Sequence, residues 1–293
     1  MAVLSKGTMF PPELVSDLIN KVTGKSALMS LSAQKPVAFS GNQLFTFSMD
    51  SEIDVVAENA AKSHGGVTVT PITIVPIKVE YGARISDEYM FADDEYKLNT
   101  LRAFNEGFAK KVAKGFDLMS FHGVNPRTGT ASAVIGGNHF DAIVTQEVTF
   151  DPATPDANIE AALAVINGAE REVNGLVISE IFRKAMADLK INDVPQYPEF
   201  RMGAYPNQMG AMKLVANNTV AGAGSKDRAI LGDFENMFRW GYSKQVPMEI
   251  IQYGDPDNTG SDLKGHNQVY LRAETYLGWG ILDASSFVRI ATA

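Results

Sequence analysis

The four histidines are the side chains of this chain best suited to bind a metal ion or to move a proton. His64, His122, His139 and His266 are scattered along 293 residues, and no pair of them has the H-E-x-x-H spacing. The sequence has no cysteine, which excludes disulfides, thiolate metal sites and cysteine nucleophiles. It has neither a G-x-S-x-G motif nor a G-x-x-x-x-G-K-[ST] phosphate loop. The sequence therefore predicts no catalytic, metal or cofactor site.

A second group of side chains could instead contact another protein. Arg183 and Lys184 are adjacent on a predicted helix, where they could meet the carboxylates of a neighbouring subunit. The favoured alternative is a solvated helix face, because exposed ion pairs contribute little to stability. Lys62 belongs to a polar stretch between two predicted strands. These residues are candidates for contact and not for catalysis.

Composition limits the class of protein further. The chain is 45% hydrophobic and 20% charged, as is usual for a globular protein, and it has a net charge of −8. This charge argues against a protein that wraps nucleic acid on a basic face, but not against one that surrounds it. No apolar run approaches the roughly 20 residues that span a bilayer, and the N-terminus does not resemble a signal peptide. We expect synthesis in the cytoplasm and no membrane contact.

The segment 45–81 has the alternation of a long β-hairpin. Phe45 and Phe47 alternate with small polar residues, and Ile72 and Ile74 do so after the Gly65-Gly66 pair, which is a turn signal. Prolines within and after the second run predict edge strands. Because such a hairpin is marginal in water and prone to uncontrolled pairing, we expect another subunit to cover it. Lys62 would lie near its polar tip.

One long amphipathic helix is predicted near residues 93–122. Its apolar face includes Phe104, Phe108 and Val112 at spacings of three and four. The polar remainder consists of Arg102, Glu106, Lys110, Lys111, Lys114 and Asp117. Gly107 and Gly115 lower the helix propensity, which indicates close approach of another backbone.

The regions on either side of this helix have different patterns. Residues 1–44 read as an arm, with a short helix whose apolar stripe includes Leu14 and Leu18. Residues 151–265 alternate helices with short strands, which predicts an α/β domain with a mixed sheet. Two later strand-like runs, 269–281 and 287–290, could return to the domain that carries the long helix.

Several short segments, taken in order, resemble the major capsid proteins of tailed double-stranded DNA phages, which have the HK97 fold. The segments are Ser51-Glu52 to Glu58-Asn59-Ala60, Val79-Glu80-Tyr81-Gly82-Ala83-Arg84-Ile85-Ser86-Asp87-Glu88, Gly115-Phe116-Asp117, Phe121-His122-Gly123, Ile230-Leu231-Gly232-Asp233-Phe234 and Tyr270-Leu271-Arg272-Ala273. The resemblance covers nearly the whole chain and depends on their order and spacing, since no single motif is diagnostic.

The resemblance implies an α+β fold with four parts. These are an N-terminal arm (1–44), an extended loop (45–81), a peripheral domain with a spine helix (82–150, with about 266–293 returning), and an axial domain (151–265) near five- and six-fold axes. The implied function is self-assembly, through pentamers and hexamers, into an icosahedral shell that encloses double-stranded DNA without sequence-specific binding. Scaffolding, portal and decoration proteins are further implied partners, and the virion is the implied location.

Some relatives cross-link their subunits through a loop lysine and a neighbour's asparagine. Lys62 is the best-placed lysine here, but the partner residues have no match in this sequence, so we expect Lys62 to make ionic contacts only. Our predicted anchors between subunits are Phe45, Phe47, Ile72 and Ile74, whose alternative role is to cover their own subunit's core. The sequence leaves two other functions open. They are an encapsulin-type compartment that encloses a cargo enzyme, and a soluble α/β metabolic enzyme.

Overall fold

The computed structural model describes residues 26–91 and 94–293. The helices within this part are α1 Ala27–Leu31, α2 Asp94–His122, α3 Phe140–Ile143, α4 Pro155–Gly168 and α5 Glu180–Asp188. The strands are β1 Asn42–Met49, β2 Val67–Ile74, β3 Ile77–Ser86, β4 Glu147–Thr149, β5 Gly175–Ile178, β6 Lys190–Ile191, β7 Val194–Pro195, β8 Gln208–Met209, β9 Met212–Ala216, β10 Asp227–Gly232, β11 Phe238–Ile251, β12 Gln268–Ile281 and β13 Phe287–Ala291. The predicted arm residues Leu14 and Leu18 lie outside the described residues.

The predicted spine helix is present as α2, which is 29 residues long. Its apolar face enters the larger of two hydrophobic clusters, where the fully buried Phe116 ring meets the rings of Trp240 and Trp279 at centroid distances of 5.5 and 5.6 Å. Such a buried aromatic contact adds stability beyond the burial of area. The helix is thereby fixed against β11 and β12, which carry the two tryptophans.

Two details of α2 differ from the sequence-based prediction. Asp117 is fully buried, although it was assigned to the polar face. Of the two helical glycines, Gly115 faces Pro126, whose Cγ would lie 3.2 Å from an added Cβ, but Gly107 faces open space. The close approach predicted from their small size is therefore found within this chain only at Gly115.

A six-stranded mixed sheet is covered on both faces. Its order is β4-β13-β10-β5-β9-β8, with parallel pairs β4–β13 and β5–β9. Val177 and Ile230 point into the cluster that contains α2, whereas Leu176 and Leu231 belong to the second cluster, with side chains from α4 and α5. Burial on both faces explains why Gly175–Ile178 is a continuous apolar run without alternation.

The second sheet has the order β11-β12-β3 and is antiparallel throughout. Strand β3 follows the hairpin β1–β2 directly, so this sheet is the base from which the hairpin extends. The pairing distributes the late strands between the two sheets, because β11 and β12 pair with each other, while β13 pairs with β10 and β4. The domain boundaries given above stay a prediction.

The described part of the predicted arm is docked on its own chain. Ala27, Leu28 and Leu31 of α1 are buried in the larger cluster. The Lys35 backbone N–H donates to the carbonyl of Trp240 at 2.9 Å, and Trp240 Nε1 donates to the carbonyl of Ser32 at 3.2 Å. Helix α1 and Val37 are therefore part of the subunit's core, whereas residues 33–36 between them lie on the surface.

Candidate intersubunit contact surface

The hairpin β1–β2 has two faces with different chemistry. In its antiparallel register Phe45 pairs with Pro71, Phe47 with Val69 and Met49 with Val67. Directly paired residues lie on the same side of a sheet. These six residues therefore form one continuous apolar surface, called the outer hairpin face below.

The outer hairpin face is open to solvent. The exposed fractions are 64% for Phe45, 61% for Phe47, 70% for Met49 and 54% for Val69. None of these side chains belongs to either hydrophobic cluster of the described residues. A contiguous exposed apolar surface of this kind marks an interaction site or an aggregation hazard. The predicted anchors Phe45 and Phe47 are thus free for contact outside the subunit.

The opposite hairpin face joins the hairpin to its own subunit. Ile74 is 2% exposed, because Gly278 and Gly280 on β12 leave room for its side chain: an added Cβ at either glycine would lie 3.0 Å from it. Ile72 is half-buried beside it. Ile74 thus has the alternative role given for these residues in the sequence analysis, which is to cover the core of its own subunit. The cause is tertiary, since the two glycines lie about 200 positions later in the chain.

The connection between the strands is a long exposed loop, residues 50–66, and not a tight turn at Gly65-Gly66. The Asp50 side chain accepts a hydrogen bond from the Gly66 N–H at 2.7 Å and closes the base of this loop. An added Cβ at Gly66 would collide with Asp50, so the glycine pair serves this closure. Lys62 is exposed in the loop, together with Ile53 and Val55, which are 95% and 94% exposed.

The helical candidates Arg183 and Lys184 differ from each other. Arg183 Nε lies 2.8 Å from Glu180 Oε2 on the same helix, and its guanidinium also donates to the carbonyl of Phe200. Its side chain is only 11% exposed, so Arg183 is satisfied within its own chain. Lys184 pairs with Asp188 one turn later but stays largely exposed. Of the two, only Lys184 is available to a neighbouring subunit.

A buried charged cluster, not anticipated from the sequence, links the end of α2 to the six-stranded sheet. His122 Nδ1 lies 2.9 Å from Asp141 Oδ2, and His122 Nε2 lies 2.8 Å from the carbonyl oxygen of Thr219. Arg289 on β13 donates to Asp227 at 3.1 Å. Because both ring nitrogens face acceptors, the arrangement favours the imidazolium form of His122. Burial alone would lower the pKa of His122, but the hydrogen bond that its ring donates to Asp141, the charge of that carboxylate and the bond to the Thr219 carbonyl together raise it above its ordinary value.

The two acids of this cluster have opposite shifts. Burial raises the pKa of Asp227, and the nearby Asp141 carboxylate raises it further. Burial also acts to raise the pKa of Asp141, but the hydrogen bonds with His122 and Asp227 and the charges of His122 and Arg289 together lower it. Asp141 Oδ1 and Asp227 Oδ2 are buried and have no donor from another group of the described residues. A proton held by Asp227 and shared with Asp141 satisfies both oxygens.

Replacing Asp227 with asparagine should flatten the pH dependence of stability. Burial raises the pKa of Asp227 in the folded chain to about 7, so between about pH 4, the ordinary value for aspartate, and pH 7 the unfolded chain has lost this proton while the folded chain keeps it, and stability falls as the pH rises through this window. The amide of the variant would stay neutral and could donate to Asp141. We expect Asp227→Asn to be at least as stable as the native subunit at pH 8. Urea unfolding at pH 5 and pH 8 measures this, and an unchanged difference between the two would contradict it.

Two general features of the described residues bear on function. No group of three or more His, Asp or Glu side chains there is arranged to hold a metal ion. None of the helices in that part is long and apolar enough to cross a membrane. The histidines do not form a common site, since His122 and His139 lie close to each other, whereas His64 and His266 are on separate exposed loops.

Comparisons with known proteins agree with this architecture. The model of the phage capsid family matches residues 6–291. A structure from Mycobacterium phage Ogopogo is 29% identical, covers 92% of both chains and has a TM-score of 0.80. One from Gordonia phage Cozz is 22% identical over 92% of this chain and 87% of that chain, with a TM-score of 0.76. The capsid of a native GTA particle computed with C5 symmetry is 16% identical over 91% and 90%, with a TM-score of 0.63.

A search of curated protein sequences found no match. The structural likenesses show an HK97-like capsid fold, as the sequence predicted. The family match extends over almost the entire sequence, and the chain therefore belongs to the phage capsid family as a structural subunit of a shell.

Proposed function

We propose that the outer hairpin face is the principal contact through which copies of this chain assemble into an icosahedral shell around double-stranded DNA. The observation that carries the proposal is the row of exposed apolar pairs on a hairpin whose other face is anchored by Ile74. A two-stranded hairpin with an uncovered apolar face is marginal in water, so a neighbouring copy is its natural cover. Many such contacts in a closed lattice give a stable assembly even where each is weak.

The remaining parts of the proposal follow from the family. The subunits form pentamers and hexamers, with residues 151–265 near their axes, and they enclose DNA without reading its sequence. The chain has no enzymatic role and is made in the host cytoplasm before it enters the virion. Scaffolding, portal and decoration proteins are its further partners. Family membership favours this shell over an encapsulin-type compartment or a metabolic enzyme.

Electron microscopy of the expressed full-length chain tests the proposed function. We expect closed shells of uniform size, and sedimentation should show little free subunit at concentrations where shells are seen. A compact monomer at every concentration would refute the proposal. Shells that contain a cargo enzyme in place of genomic DNA would support the encapsulin alternative.

Lys62 is expected to contribute ionic contacts without covalent cross-links. Its side chain is exposed in the loop 50–66, where a neighbour's carboxylate could reach it. Mature particles boiled in denaturant should therefore run as single 31.7 kDa chains on a gel. A ladder of covalent oligomers that disappears in Lys62→Arg would contradict this expectation.

A further inference from the structure

The loop between β11 and β12 has the residue spacing of a calcium-binding loop. In such loops, positions 1, 3 and 5 supply side-chain oxygens, position 6 is glycine and position 7 supplies a backbone carbonyl oxygen. Asp255, Asp257, Thr259, Gly260 and Ser261 occupy these five positions here. Gly260 has the required left-handed backbone, with φ of +81°.

The four oxygens of this loop converge on a single atom, Nη2 of Arg84. Asp255 Oδ1 lies 2.7 Å from it, Thr259 Oγ1 2.6 Å and the carbonyl oxygen of Ser261 2.9 Å, and Asp257 Oδ1 is the fourth contact. Arg84 belongs to β3, which is remote in sequence from this loop. The guanidinium nitrogen therefore occupies the position that the ion takes in a calcium loop.

More oxygens surround Nη2 than its N–H groups can bind by hydrogen bonds. This nitrogen carries two hydrogens, yet four oxygens surround it, so at least two of them are held by the positive charge and not by an N–H of their own. The rest of the guanidinium adds to the clamp, since Nε lies 3.0 Å from Asp257 Oδ2 and Nη1 lies 3.2 Å from Gln268 Oε1. The Arg84 side chain is only 16% exposed.

The loop also preserves the internal support typical of a metal-binding loop. Asp255 accepts hydrogen bonds from the N–H groups of Thr259 at 3.1 Å and Gly260 at 2.7 Å. One feature is missing, because position 12 is His266 and not the glutamate that binds calcium through both oxygens. The oxygen set is thus shaped for a cation but too small to bind a divalent ion tightly.

We propose that Arg84 is the built-in cation of this loop: its guanidinium replaces a divalent ion, so the native protein keeps the loop in the shape of a metal site without binding metal. The clamp joins β3, the strand that returns from the hairpin, to the loop at the end of β11 and β12. As a consequence, the rigidity of the sheet at the base of the hairpin does not depend on bound divalent ions, and chelators do not change it.

Arg84→Ala tests the proposal, because it removes the cation and leaves the oxygens. We expect the variant to lose several degrees of Tm in EDTA and to recover about 1 to 2 °C in millimolar calcium chloride, as weak binding to the folded state predicts. The native chain should show no calcium response. Terbium is a direct probe, since Tyr270 lies near Asp257 and can sensitise its emission. We expect terbium luminescence from Arg84→Ala and none from the native chain.

Two further variants separate this role from a merely structural one. Arg272→Ala removes another ion-paired arginine, bound to Glu249 in the same sheet, and should lose stability without any calcium response. Arg84→Ala combined with Asp257→Asn should lose the calcium response of the single variant. If Arg84→Ala does not fold in EDTA, we would measure whether it refolds when calcium is added. Recovery of the folded subunit in calcium would support the proposal. Equal destabilisation of Arg84→Ala with and without calcium, or calcium binding by the native chain, would overturn it.

Discussion

Glutamate in place of both Phe45 and Phe47 is expected to abolish shell formation and to leave a folded, soluble subunit. Both rings are more than half exposed in the isolated chain and contribute to neither hydrophobic cluster, so their replacement costs the subunit little. In an assembled shell each ring would bury its apolar surface, which is worth about 1.5 to 3 kcal/mol for a full side chain. The variant loses this free energy of burial at every contact of the lattice. In addition, it must bury two carboxylates at each contact, which is unfavourable.

The measurement combines sedimentation with electron microscopy, and circular dichroism verifies that the subunit is folded. Ser48→Glu with Thr70→Glu is the matched control, because it puts the same two charges on the same hairpin but at exposed positions of its opposite face. We expect the control to assemble. Shells of normal size from the Phe45 and Phe47 variant would show that the outer hairpin face is not the assembly contact, whatever the control does.

The strands of this hairpin could be predicted from the sequence, but its connection could not. Strict alternation around Phe45 and Phe47 reports local geometry, because side chains of a strand point alternately to its two faces. The Gly65-Gly66 pair carries the signal of a tight turn, yet it serves the contact with Asp50 at the base of a long loop. A glycine in the sequence can indicate that space for a side chain is limited, but the sequence does not indicate which neighbouring residue limits it.

Where the environment of a residue differs from what the sequence predicts, the cause is a neighbour that is distant in the sequence. Ile74 has the same alternating pattern as Phe47, and only the glycines on β12 make it a core residue. The segment 254–267 is polar and glycine-rich, which indicates a surface loop but no partner, because the shared contact of its residues with Arg84 requires the pairing of β3 with β12. The spacing of Asp255, Asp257, Thr259, Gly260 and Ser261 is the one sequence signal that could have indicated a cation-binding loop here.

Asp117 in the spine helix is another residue whose environment could not be predicted from the local sequence. By periodicity it belongs with the exposed lysines, but it is fully buried and accepts hydrogen bonds from five donors. These are Ser26 Oγ, the backbone N–H groups of Ala27 and Leu28, Thr219 Oγ1 and Asn217 Nδ2. Burial raises the pKa of Asp117 to about 6, although these hydrogen bonds act to lower it. A single carboxylate therefore joins the arm, the spine helix and the turn before β10.

Asp117→Ala is expected to be the most destabilising single substitution outside the aromatic core. It leaves four buried donors and the partly buried Asn217 amide without an acceptor, and each lost hydrogen bond to a buried donor carries a desolvation cost, so we expect a loss of about 3 to 5 kcal/mol in the free energy of unfolding. Urea unfolding of the unassembled subunit at pH 7.5, where the carboxyl group is ionised, measures this.

Two companion variants make the Asp117 result specific. Asp117→Asn keeps one oxygen that accepts hydrogen bonds, but its NH₂ group faces the donors that contacted the second carboxylate oxygen. We therefore expect Asp117→Asn to be destabilised as well, but less than Asp117→Ala. Lys114→Ala, on the exposed side of the same helix, should change stability by no more than about 0.5 kcal/mol. Hydrogen exchange should show faster opening at Ala27 and Leu28 in Asp117→Ala, because the arm loses its anchor. If Asp117→Ala were as stable as Lys114→Ala, with the arm still protected, the carboxylate would not be what holds the arm on the spine helix.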